Sequence, residues 1–306
     1  MRLKFLIAAP KYTHQSAGIM VLHNLCDMLN RQGYEAAIVF FHGGKAPNFQ
    51  WACTNNPEMY HPDHERVHLS LTDPVKSIRD FLENGVMIYP DLILDNPMGA
   101  SRIVRYILCH NESYTAQFAN EYVLSFSKLF HSNPNAYLFQ SLPNENFHSR
   151  GVPHWSKRTM DLTYFGKGPG FIDCFRIPET LVLTRTWPED KNQLGILLRQ
   201  CRYFFTWDAV SQTNFDAIAC GAVPVFLHDR QTTREALSRG EPGAYPNIRL
   251  ADLNDKESVI CDVEEIDKQM SEMNSKIEWL KESFPERVSR FASDVHKFYQ
   301  ANEDVS

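Results

Sequence analysis

The sequence predicts an α/β protein built from two Rossmann-like domains facing each other across a cleft. Three observations lead there. At roughly 100–200 residues per domain, a chain of 306 residues favours two domains, each able to bury its own core. Its 43% hydrophobic and 12% aromatic content is that of a globular chain, not a disordered one. Its opening alternates strand, helix and strand, which builds a parallel sheet.

The elements follow in order. Leu3 to Ala8 is an apolar run of strand length, and the loop from Pro10 to Gly18 is polar. Ile19 to Arg31 carries Val21, Leu22, Leu25, Met28 and Leu29 at helical spacing, and Gly33 stops it. Glu35 to Phe41 and Val86 to Tyr89 read as further strands. Asn96 and Pro97 supply an N-cap and a helix-starting proline, predicting a helix with Ile103, Val104, Ile107 and Leu108 on its apolar face and Arg102 and Arg105 on a solvated one. Tyr122 to Phe126 and Ala136 to Phe139 complete a first domain over residues 1–150. Ser149 to Met160, rich in Arg, Lys, His and Pro, reads as a linker. A second domain over residues 161–280 opens with the strand Leu162 to Phe165 and a glycine loop at 166–170. It continues with a strand at Thr180 to Leu183, a helix at Asn192 to Arg199, a strand at Tyr203 to Thr206, a helix at Ser211 to Cys220 and a strand at Val223 to Leu227. The tail is helical. Ile266, Met270, Met273, Ile277 and Leu280 form one stripe, and Val288, Phe291, Val295 and Phe298 form another beyond Pro285.

Composition excludes several classes. No apolar run approaches the roughly 18 residues of a membrane-spanning helix, and the N-terminus reaches Pro10 too soon for a signal peptide, so a cytoplasmic protein is expected. The seven cysteines (Cys26, Cys53, Cys109, Cys174, Cys201, Cys220, Cys261) are odd in number and contain no CxxC pair, which argues against a disulfide framework and a zinc site. A net charge of −6 disfavours a nucleic-acid partner without excluding it.

The most informative stretch is TWDAVSQTNFDAIACGAVPV, from Thr206 to Val225. A strand ends at Thr206, and Asp208 lies just beyond its carboxyl end, where ligands of open α/β sheets bind. Ser211, Thr213 and Asn214 open a helix whose positive end favours phosphate, and Asp216 is placed to accept from ribose hydroxyls. Upstream, Gly166, Lys167 and Gly168 end a strand in a glycine turn that carries a cation. Phe171 stands where GxGxxG would need its last glycine, which disfavours a dinucleotide dehydrogenase. Arg185 and Trp187 follow another strand and precede a helix, which puts them on the rim of the same cleft; a surface arginine and a packed indole fit equally. In the first domain, Tyr12 to Gly18 lies between the first strand and helix. His14 there, and Asp91 after the strand at Val86, are candidate bases for an acceptor hydroxyl; His110 and Glu112 are weaker ones.

The stretch around Asp208 and Asp216 resembles the donor domain of GT-B nucleotide-sugar glycosyltransferases, family 4 type. That family has two acids separated by seven residues and then an Ala-x-x-x-Gly-x-Pro-Val-like run. The spacing is kept here, with Asp in place of the usual Glu at both positions. The resemblance implies that Asp216 binds the nucleotide ribose and Asp208 lies near the transferred sugar. It also implies that Lys167 and Arg185 face the diphosphate, that Trp187 stacks on the base, that Tyr12 and Gly18 belong to an acceptor-side loop, and that the helix from Glu286 to Gln300 returns to the first domain. The chain lacks an Asp-x-Asp pair, so the expected reaction is metal-independent, with a nucleoside-diphosphate sugar as co-substrate and no other cofactor. The expected acceptor is a glycan, glycolipid or other hydroxyl compound, the last two reached at a membrane periphery if lipid-linked. A phage-type DNA-base glycosyltransferase, a nucleotide-sugar epimerase of the same architecture and a non-catalytic sugar-nucleotide binder remain as alternatives.

Overall fold

The computed structural model describes residues 3–42, 50–67, 73–109, 120–128, 130–140, 145–166, 177, 179–206, 208, 211–226 and 263–303. Two compact units divide the chain. One comprises Met1–Gln140 with Glu282–Ser306, and the other Ser141–Lys281. Each is a Rossmann-like α/β unit around a parallel sheet, as the strand and helix alternation predicts.

In the first unit the strands are β1 (Lys4–Ala9), β2 (Glu35–His42), β3 (Gln50–Ala52), β4 (Val86–Pro90), β5 (Ile103–Ile107), β6 (Tyr122–Ser125) and β7 (Ala136–Tyr137), in the order β3-β2-β1-β4-β5-β6-β7. All pairs are parallel except β2 with β3. Helix α1 (Ala17–Arg31) buries Val21, Leu22, Leu25 and Leu29, the stripe read from the sequence. Helix α2 (Pro74–Asn84) is capped by Asp73, whose carboxylate accepts from the Lys76 amide.

The predicted helix after Asn96 is a correction: the residues form strand β5. The Asn96 side chain closes a turn instead of opening a helix, accepting from the Ala100 amide at 2.9 Å and donating to the Ala100 carbonyl at 2.9 Å. Val104, Tyr106 and Ile107 are fully buried between β4 and β6. A strand covered on both faces loses the alternation that would have marked it as one. Arg105 is likewise not solvated. It is 0% exposed, pairs with both oxygens of Glu121 at 2.8 Å, donates to the carbonyls of Ile93 and Asp95, and lies over the Tyr89 ring. A bidentate charge-assisted pair is what permits a guanidinium at that depth.

The second unit has four parallel strands in the order β11-β10-β8-β9: β8 (Met160–Tyr164), β9 (Leu181–Leu183), β10 (Cys201–Thr206) and β11 (Val223–Phe226). Helices α3 (Lys191–Gln200) and α4 (Gln212–Ala219) join them, and Leu162, Leu183, Leu198, Phe204 and Ala217 pack in one core. Ser149 to Met160, expected as a linker, is built into this unit. Trp155 is buried and donates from its indole to Asp267 at 2.7 Å; Arg158 is buried and donates to the carbonyls of Pro153, Cys201 and Cys220. Those two anchors in a polar, proline-containing run move the division to between Gln140 and Ser141. Helix α5 (Val263–Glu282) buries the whole stripe Ile266, Met270, Met273, Ile277 and Leu280. Helix α6 (Phe284–Glu303) belongs to the first unit, where the Tyr299 hydroxyl accepts from the Ile103 amide at 2.9 Å and Arg287 donates to the Phe139 carbonyl at 2.6 Å.

Candidate active site

Sheet order locates a crevice in each unit. In the second, β9 lies on one side of β8 and β10 on the other, so the chain reverses direction between β8 and β10. Loops leaving the carboxyl ends of strands diverge at such a switch point, and ligands of open α/β sheets bind there. In the first unit the same reversal falls between β1 and β4. The loops leaving those four strands hold Gly166, Asp208, the Tyr12 to Gly18 segment and Asp91, all nominated by the sequence.

Gly166 and Asp208 meet in the second unit. Tyr164 pairs with Thr206 at the ends of β8 and β10. Two residues further on, Gly166 takes a φ of +55°, and a Cβ built there would stand 2.5 Å from Cβ and 2.6 Å from Oδ2 of Asp208. The glycine is needed both for its backbone and for the space that Asp208 fills. The Asp208 backbone is clamped as well. Its amide donates to Thr206 Oγ1 at 3.2 Å, and its carbonyl accepts from Thr206 Oγ1 at 3.3 Å and from Asn214 Nδ2 at 2.7 Å.

Ser211 is the N-cap of α4, accepting from the Thr213 amide at 3.2 Å, while its carbonyl accepts from the Asn214 amide at 3.1 Å. Ser211 and Thr213 therefore satisfy each other, and what the helix offers an anion at those residues is mainly its dipole. Asn214, expected at the phosphate, is 0% exposed and bonded to the Asp208 carbonyl; its Oδ1 has no partner among the described residues. Asp216 is buried too. Oδ1 accepts from Gln212 Nε2 at 3.1 Å, and Oδ2 has no partner among the described residues. Burial pushes its carboxyl up to about 6, against the opposing pull of Lys191 and the Gln212 bond. Lys191 opens α3 and was not singled out by the sequence. The signal that could have found it is its position as the first helical residue after the Trp187 loop.

Arg185 is exposed and Trp187 is 39% exposed in the turn after β9, which is closed by bonds between Thr184 and Trp187. Lys167 and Gly168 lie outside the described residues, as do His110 and Glu112.

In the first unit, His14 is exposed, in the turn where Thr13 Oγ1 accepts from the Gln15 amide. Gly18 lies 3.9 Å from the Leu108 side chain, measured from an added Cβ. Tyr12 donates its amide to Met59 and packs edge-on against His61, His23 and His64. Asp91 is 2% exposed. Its Oδ1 accepts from the Leu108 amide at 3.2 Å and its Oδ2 from the Cys109 thiol at 2.9 Å, and burial raises its carboxyl above the ordinary value. These contacts tie the ends of β4 and β5 together. They do not present Asp91 to solvent as a base, and sequence reasoning missed that Cys109 would be its partner. Among the described residues no group of three His, Cys, Asp or Glu side chains is arranged to hold a metal ion, and no helix is long and apolar enough to cross a membrane.

No family model matches the sequence, and no curated protein does. Solved structures that it resembles along nearly its whole length include glycosyltransferases. One is an alpha-glucosyltransferase in complex with UDP and a 13-mer DNA containing an HMU base, 14% identical with a TM-score of 0.45 over 100% of this chain and 99% of that one. Another is the glycosyltransferase SnogD from Streptomyces nogalater, 13% identical with a TM-score of 0.44 over 96% and 99%. A third is the spinosyn rhamnosyltransferase SpnG complexed with thymidine diphosphate, 12% identical with a TM-score of 0.39 over 97% and 96%.

Proposed function

We propose that the chain is a glycosyltransferase of GT-B type that moves a sugar from a nucleoside-diphosphate sugar to a hydroxyl acceptor. The observation that carries this reading is the half-satisfied Asp216 carboxylate, buried on the helix that opens beside the switch point of the second unit. A buried acceptor without a donor is costly, and a ribose hydroxyl bound at Oδ2 would supply the donor. The positive end of α4, Lys167 and Arg185 would stabilise the departing diphosphate as the glycosidic bond breaks, with Trp187 against the base. Asp208 would lie beside the sugar. On the acceptor side, the exposed His14 fits a base that takes the hydroxyl proton better than the enclosed Asp91 does.

The reaction is proposed to need neither metal nor further cofactor, because the sequence has no Asp-x-Asp pair and cationic side chains with a helix dipole would take its place. Charge bears on the acceptor. The first unit carries 14 Lys+Arg against 17 Asp+Glu and the second 17 against 20, so neither has the basic excess that a polyanion requires. A glycan or glycolipid acceptor is favoured over DNA, in the cytoplasm and, for a lipid-linked acceptor, at a membrane surface.

A panel of nucleoside-diphosphate sugars tested by thermal shift with and without EDTA checks the reading. At least one should raise the melting temperature in EDTA, and Asp216→Ala should weaken its binding roughly 10- to 100-fold, the effect of one charge-assisted hydrogen bond. No stabilisation by any member, or unchanged affinity in the variant, refutes the donor site; strict dependence on a divalent ion refutes the metal-free mechanism.

A further inference from the structure

Asn214 sits three residues past the N-cap of α4, where its sequence position pointed to phosphate binding. Its geometry points elsewhere. The side chain is fully buried, and its one hydrogen bond among the described residues, 2.7 Å from Nδ2, goes to the backbone carbonyl of Asp208, six residues back. Oδ1 is left without a partner among the described residues. An apolar side chain of the same size would avoid the cost of that unsatisfied oxygen, so packing stability alone does not explain an amide here. What the amide does is hold the loop beyond β10 onto α4.

Thr206 acts on the same residue from the strand side, bonding both the amide and the carbonyl of Asp208 through its buried hydroxyl. Gly166 closes the third side, since any Cβ there would collide with the Asp208 side chain. Asp208 is thus fixed from strand β10, from helix α4 and from the loop after β8. Two side chains bonded to its backbone, and a glycine that leaves room for its side chain, fix where Asp208 stands at a switch-point crevice, the support a catalytic group needs to hold its geometry.

We propose that Asn214, with Thr206, is a positioning residue for Asp208 and not a ligand of the donor phosphates. The inference rests on the glycosyltransferase reading above, in which Asp208 lies beside the transferred sugar. It assigns Asn214 to the rate of sugar transfer and not to nucleotide affinity.

The test uses the full chain, UDP as the binding probe and, as the turnover probe, UDP release from UDP-glucose with water or an added hydroxyl compound taking the glucosyl group, with other nucleoside diphosphates and their glucose conjugates as alternates if the uridine pair is inert. Asn214→Leu removes the amide at nearly constant volume, and Thr206→Val removes the hydroxyl from a strand position that suits a β-branched residue. Either variant alone suffices if the other fails to fold. Each should bind the diphosphate within about threefold of wild type and lose at least tenfold in kcat, with KM little changed. The thermal midpoint of Asn214→Leu should equal or exceed that of wild type. Asp208→Asn should show a comparable kcat loss, and adding Asn214→Leu to it should cost little more, because both act through one carboxylate. A tenfold loss of diphosphate affinity in Asn214→Leu would make the residue a ligand and overturn the proposal. Additive losses in the double variant, or unchanged kcat in a folded single variant, would overturn it too. A wild-type chain inert toward every probe would be a different failure, that of the glycosyltransferase reading itself.

Discussion

Asp216 is a carboxyl group that the fold keeps dry, with one oxygen bonded to Gln212 and the other unpaired among the described residues. Its folded pKa, raised to about 6 by burial, stands above the ordinary carboxylate value of 3.8. The native state therefore holds a proton that the unfolded chain has released between those two values, and stability falls as pH rises from about 4 to 6. At neutral pH the full cost is present, up to about 3 kcal/mol for a shift of that size. Asp216→Asn keeps the shape and removes the charge. Its unfolding free energy in urea should exceed that of wild type by about 1–3 kcal/mol at pH 7 and converge with it near pH 4. A variant less stable than wild type at pH 7, or an advantage of equal size at both pH values, would mean that Asp216 serves the apo fold. The expected gain is the mark of a residue retained for a ligand at the expense of stability.

At the scale of elements, the loop between β1 and α1 rests on a cluster of rings. His23 of α1 shares a hydrogen bond at 3.0 Å with the Pro10 carbonyl, His61 stacks on His64 at 3.9 Å, and Tyr12 lies edge-on to all three histidines. Burial, only partly offset by the Pro10 bond and reinforced by the neighbouring histidines, lowers His23 to about 4. Burial and His61 lower His64 to about 4 as well, with Asp27 and Asp63 opposing. The unfolded chain takes up protons first, so this stability is present above about pH 6.5 and is lost as pH falls toward 4. His23→Gln can still donate to Pro10 but cannot titrate. The drop in unfolding free energy between pH 7 and pH 4.5 should be smaller in the variant by roughly 2 kcal/mol; an unchanged drop would show that His23 is not a source of it. None of this cluster was legible in the sequence, because His23, His61 and Tyr12 converge only through tertiary packing. What was legible is local. The strand at β10, the Ser211 cap, α4 and the turn at Gly221 are adjacent in the chain and carry their own punctuation. Strand β5 was misread because full burial erases alternation and because Asn96 and Pro97 suit a turn as well as a helix start. The Asp91 partners, Leu108 and Cys109, lie just beyond the end of β5, the strand that was misread as a helix.

At the scale of the whole chain, the two units are joined by two crossings, one between Gln140 and Ser141 and the other between Lys281 and Glu282. The first unit is completed by α6, the most distant described segment in sequence. Val288, Phe291, Ala292 and Val295 are at most 2% exposed, and Tyr299, Arg287 and Ser289 bond to Ile103, Phe139 and Gln32 respectively. Burying two valines and a phenylalanine is worth about 5 kcal/mol or more at roughly 1.5–3 kcal/mol each. That is comparable with the net stability of an entire domain, about 5–15 kcal/mol. The crevice at β1 and β4 thus depends on residues that contribute nothing to its chemistry. A chain ending before Phe284 keeps α5 and all of the second unit, yet removes a wall of the first. Limited proteolysis of that truncated chain, read by mass, should give a resistant fragment covering the second unit and rapid cleavage within β1 to β7. Diphosphate binding should survive if the donor site lies wholly in the second unit, whereas sugar transfer should be lost. Equal protease resistance of the first unit with and without α6 would contradict the assignment of this helix to its core.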